Sequence, residues 1–157
     1  MPTDLWILLK GIGLGLAAFG LSLAPVNWWL MPDLGVLALG WFLARHGLRA
    51  GGLAVLGYIL SYGLLLRPSW GLWVMGYAAG VLIWRVLGLA IQGFWRSFIF
   101  SVVVISLVNA FTWWLALNLA GQGREAFVYY LFQVTLTVLM ALIIMLGRHG
   151  FQKKQIV

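Results

Sequence analysis

Apolar residues run almost uninterrupted along this chain, and charge enters it as punctuation. Residues 11–32, 50–66, 68–84, 97–123 and 126–147 contain no Lys, Arg, Asp or Glu. A hydrocarbon core ~30 Å thick needs about 20 such residues as helix. The pattern therefore predicts helices over about 5–23, 30–45, 50–66, 70–91, 97–119 and 127–146. The expected fold is all-α: a polytopic membrane protein, one transmembrane domain over 1–157, with a bundle of about six transmembrane helices.

The first segment has a small-x-small sequence, Ser22-Leu23-Ala24, of the kind found at signal-peptide cleavage sites. No basic residue precedes it, Lys10 lies inside it and Pro25 follows directly, so the expectation is an uncleaved helix with Lys10 snorkelling to an interface. The second segment is short and must borrow from its flanks; the alternatives are a span from Trp28 or Pro32 through Arg45, or a re-entrant hairpin. Asp33 suits the positive end of such a helix and Arg45 its negative end. Arg67-Pro68-Ser69 and Gly121-Gln-Gly-Arg-Glu125 read as turns.

Composition removes the soluble alternatives. Hydrophobic residues make up 64% of the chain, too many for the surface of a 17.4 kDa globule. Ten basic residues against three acidic give a net charge of +7. They stand singly at segment ends rather than as a nucleic-acid-binding patch, so the expected contact is membrane lipid and no nucleic acid. Short cytoplasmic loops collect Lys and Arg. With the amino terminus inside, that side holds Arg45, Arg49, Arg85, Arg96, Arg148, Lys153 and Lys154 with Lys10, and the other side only Arg67 and Arg124. Both termini are thus expected in the cytoplasm, with external connections near 24–33, 67–69 and 120–126. Most tryptophans fall near segment boundaries, as interfacial anchors do. Trp41 lies mid-segment, where it faces lipid or a partner.

Helices associate in lipid through close backbone approach and interhelical hydrogen bonds. Gly11-x-x-x-Gly15 and Gly76-x-x-x-Gly80 fit the first requirement. For the second, Ser97, Ser101, Asn109, Thr112 and Ala116 share one face of the fifth segment, and Tyr130, Gln133, Thr137 and Ala141 one face of the sixth. Facing each other, the two stripes serve as packing glue; a polar ligand cavity is the sharper alternative. Arg85 lies within snorkelling reach of the interface near Arg96, or else needs an acid that the segments do not supply.

Catalysis has little to work with. His46 and His149 each stand in an Arg-His-Gly triplet, which reads as helix C-terminal capping. The chain has no cysteine, hence no disulfide or thiolate chemistry, and no phosphate loop, dinucleotide fingerprint or hydrolase elbow. No cofactor or metal is expected, and the chain reads as a non-enzyme.

Several short motifs stand out together: Pro32-Asp33-Leu34; Arg45-His46-Gly47 with Gly51-Gly52 and Gly57-Tyr58; Pro68-x-x-Gly71-Leu72; Gly76-Tyr77 with Gly80; and Phe132-Gln133 with Thr135 and Thr137. In these the chain resembles the MreD family, the small membrane subunit of the bacterial rod-shape machinery. The resemblance implies a bacterial inner-membrane, non-catalytic scaffold of cell-wall elongation. Its partner would be a single-span MreC-like protein, alongside MreB, RodA and its transpeptidase. The family is similar in architecture to the S components of energy-coupling-factor (ECF) transporters, which supply the alternative function of a vitamin-binding subunit. On the resemblance, Pro32 and Asp33 would mark the external end of a partner-docking surface; simple capping of the second helix explains Asp33 equally well.

Overall fold

The computed structural model describes residues 2–22, 32–65, 70–88, 91–119, 121 and 123–154. Among them the chain is all-helical: α1 (Pro2–Ser22), α2 (Leu34–Leu65), α3 (Trp70–Leu87), α4 (Phe94–Leu119) and α5 (Gly123–Lys154). The expected connections over 24–31 and 67–69 lie outside the described residues.

Helix α2 covers what the sequence pattern divides into a second and a third segment. It is broken at Gly47, with φ 72° and ψ −171°, a backbone region open essentially to glycine alone. A Cβ built on Gly51 would lie 3.0 Å from Leu43 Cα, and one on Gly35 would overlap the Tyr58 hydroxyl. A straight helix would hold residues 35 and 58 about 35 Å apart. The chain therefore folds back at Gly47, and α2 is a helical hairpin with a first arm over 34–46 and a second over 48–65.

Helix α1 packs on the second arm in the same direction. Gly11 lies opposite Ala54, and Gly15 opposite Tyr58 and Ser61. Without side chains at these glycines the two backbones come close: a Cβ on Gly57 would stand 2.5 Å from the Leu8 carbonyl oxygen and 3.0 Å from the Ile12 nitrogen. The aligned amino-terminal ends carry an ion pair, Arg49 Nη2 to Asp4 Oδ2 at 3.1 Å, on the exposed rim. Helix α3 runs antiparallel to α4, with Gly76 against Asn109, Gly80 against Ile105 and Gly88 against Phe100. Helix α5 returns along α4, Trp113 stacking on Tyr130 and Trp114 meeting Phe127 edge-on.

The core lies where the first arm meets α3 and α4. Val36, Leu39, Leu43, Tyr58, Tyr77, Phe98, Val102 and Ile105 are almost fully buried there. Trp41 belongs to this region rather than to an outer face, contacting Phe94, Trp95 and Phe98 edge-to-face with centroids 4.8–5.8 Å apart.

Several boundaries differ from the expected ones. Pro32 and Asp33 are not helical, so the first arm begins at Leu34 instead of near residue 30. Helix α3 ends at Leu87 rather than residue 91, and the Ile91 N–H donates to the Gly88 carbonyl. Gly93, at φ 96°, then redirects the chain into α4, which starts at Phe94 rather than Ser97. Helix α5 runs past the expected stop at 146 through the second Arg-His-Gly triplet to Lys154, since a glycine within a helix weakens it without having to end it.

Candidate functional site

The polar residues of the bundle converge on Asp33. Its Oδ1 accepts the Val36 N–H at 3.0 Å, capping the first arm. Its Oδ2 accepts the Tyr77 hydroxyl of α3 at 2.8 Å. Its own N–H donates to Thr137 Oγ1 of α5 at 2.8 Å, and the Thr137 hydroxyl passes on to the Gln133 carbonyl at 2.7 Å. One residue thus ties three helices, and Tyr58 rests edge-on against Tyr77 behind it, centroids 5.6 Å apart.

Asp33 is not at the rim of the bundle. Tyr77 lies about 10 Å along α3 from Trp70, and Thr137 about 21 Å along α5 from Gly123, at 1.5 Å per residue. Pro32 and Asp33, both partly buried, thus sit at the head of the first arm, within the length of α3 and α5. A partner reaching Asp33 would meet a carboxylate already engaged by Val36 and Tyr77. The reason is the short first arm: spanning about 20 Å, it starts deep among its neighbours.

Beside Asp33 is a cavity of about 10 Å³, whose polar lining is Asp33, Ser106, Asn109, Tyr130, Gln133 and Thr137. The two polar stripes do meet here, since Asn109 comes from α4 and Gln133 from α5. Their hydroxyls, however, turn to backbone. Ser101 donates to Phe98 O at 2.8 Å and reaches Gly40 O of the first arm at 3.3 Å, Thr112 donates to Val108 O, and Thr137 to Gln133 O. The α5 stripe is joined to the first arm where Thr137 accepts from the backbone amide of Asp33, and the α4 stripe where Ser101 reaches Gly40 O. Ser106 Oγ and Asn109 Oδ1 are buried without a hydrogen-bond partner. Gly76 and Gly80 serve this region by closeness: a Cβ on Gly76 would stand 2.5 Å from Asn109 Oδ1, and one on Gly80 3.0 Å from Ile105 Cα.

Tyr77 and Ser106 were not among the residues the chemistry of the sequence singled out. A lone acid within an apolar stretch requires donors, and a tyrosine inside an uncharged helix is a natural one; that signal points to Tyr77. Ser106 carries no comparable signal. The charged residues lie elsewhere: Arg45, Arg49, Arg85 and Arg96 are exposed, Arg85 in the last turn of α3. His46 is exposed beside Phe42. Among the described residues no three His, Cys, Asp or Glu side chains gather as a metal would require, and no histidine, cysteine or lysine lines the cavity with Asp33. The arrangement can orient helices and hold something the size of a water.

No family model matches the chain, and no curated protein or solved structure matches it either. Two helical stretches, Phe94–Leu119 and Phe127–Gly147, are long and apolar enough to cross a membrane.

Proposed function

We propose that this chain is a multi-pass protein of the bacterial cytoplasmic membrane, with six spans and both termini inside, acting as a non-catalytic scaffold of the MreD type. The observation that carries the membrane reading is the bareness of α4 and α5. Only 28% and 17% of their most apolar windows are buried, and Leu107, Phe111, Leu139 and Ile143 stand 46–63% exposed. Apolar faces of this extent need an apolar surrounding. The folding back of α2 at Gly47, which supplies two antiparallel arms, supports the six-span reading. The exposed Arg45, Arg49, Arg85 and Arg96 then fall at the same end, as the positive-inside rule asks.

The scaffold reading rests on what the interior offers. Asp33 joins three helices, and the cavity beside it is far below the ~300–1,000 Å³ of small-molecule sites, too small to hold a vitamin. Binding a single-span MreC-like partner, beside MreB, RodA and its transpeptidase, is the role that the motif resemblance suggests. Topology is tested with single cysteines in intact cells. A membrane-impermeant thiol reagent should label position 122 and spare 46 and 150; the opposite pattern refutes it. Affinity purification in mild detergent should then recover a single-span protein with a periplasmic domain, whereas recovery of a vitamin instead would refute the scaffold.

A further inference from the structure

The unpartnered polar atoms at the cavity have a common remedy. Ser106 and Asn109 are 5% and 8% exposed, and both line the same small space as Asp33. A buried hydroxyl or amide without a partner is costly, and in native proteins such groups are nearly always satisfied by protein or water. Cavities that stay empty are apolar, whereas this one carries several polar groups on a mixed lining and has about the volume that one water requires. We propose that the cavity is a hydration site, occupied by a single water that joins Asp33 at the head of the first arm to Ser106 and Asn109 on α4.

The donor and acceptor balance fits a water. The carboxylate and an amide oxygen only accept, and a serine hydroxyl can donate. One water donates to Asp33 and to Asn109 Oδ1 while accepting from Ser106, making the three bonds typical of buried waters. A metal cation suits the place less well. The first arm points its amino-terminal end at the site, where the helix dipole and the Val36 N–H favour negative charge and repel positive. That same end already compensates the carboxylate, together with the Tyr77 hydroxyl, so no counter-ion is required.

The test uses the full chain in detergent micelles. Nuclear Overhauser transfer from water to the Asn109 side-chain amide protons should show a long-lived bound water in the wild type and vanish in Ser106→Val, which fills the space. The thermal midpoint of Ser106→Val should fall by about 2–4 °C, because the displaced water leaves Asp33 and Asn109 short of a partner. A midpoint that rises would mark a dry cavity improved by filling, and would overturn the proposal. So would a midpoint that increases in sodium over potassium for the wild type but not for Asp33→Asn, which marks a cation. If Ser106→Val fails to fold, the wild-type transfer alone decides, and its absence overturns the hydration site.

Discussion

The two sides of the bundle are held by different means. Between α1 and the second arm of α2 the contact is backbone on backbone, at Gly11, Gly15 and Gly57. Around the first arm, α3, α4 and α5, the contact is organised by a polar residue that three helices share. In an apolar solvent the hydrophobic effect does not press helices together, so close approach and interhelical hydrogen bonds must do so. The glycine side is unforgiving of added volume; the polar side is unforgiving of a lost donor.

The largest effect should come from adding volume on the glycine side. Gly57→Leu places carbon where Leu8 and Ile12 backbone already stand, and neither can move without separating the helices. Overpacking costs of ~1–3 kcal/mol, occasionally more, are general, and this position should exceed about 3 kcal/mol. Size-exclusion profiles and thermal unfolding in detergent check it: a monodisperse protein of unchanged midpoint would show that α1 is not clamped here. On the polar side, Tyr77→Phe removes the donor to Asp33 Oδ2 without changing shape. A loss of about 1.5–3 kcal/mol is expected for a hydrogen bond to a charged group, and adding Asp33→Asn should cost less in this variant than in the wild type, because the two residues share that interaction.

The joint between the two sides gives a paired test. Gly47→Ala should destabilise by about 1–3 kcal/mol, since its backbone lies where other residues are strained. Gly147→Ala lies in open space within continuous helix and should stabilise by up to about 1 kcal/mol. Opposite signs in thermal melts support the fold-back at Gly47, and equal signs contradict it. The smallest effect belongs to the rim: Arg49→Ala breaks an ion pair whose side chains are 86% and 38% exposed, and should cost under about 0.5 kcal/mol, vanishing in high salt.

Much of the architecture was legible because it depends on local rules. Uncharged runs set the helical segments, Asp33 before an apolar run reads as a cap, and Gly76 with Gly80 reads as a close-packed face. The rest depended on tertiary contact. Arg-His-Gly occurs twice; at 45–47 it ends an arm, because Gly51 and Gly35 must fold onto Leu43 and Tyr58, and at 148–150 the helix runs through it. The triplet is the same and only its surroundings differ. Asp33 shows the same limit: its capping role followed from sequence, but its depth followed from how far the first arm falls short of its neighbours. The pairing of polar stripes was readable as a shared location, whereas their hydroxyl partners depended on rotamers that no spacing specifies.

The parallel pairing of α1 with the second arm sets an order of events during synthesis. Gly11 finds its partner at Ala54 and Gly15 at Ser61, more than forty residues later in the chain. At ~5–20 residues per second, a ribosome needs roughly 2–9 s to make that stretch. Through this interval α1 has no mate for its glycine face, and the first arm emerges before the second. The amino-terminal helix therefore waits, and whatever lipid or insertion factor shelters it must let go when the second arm arrives.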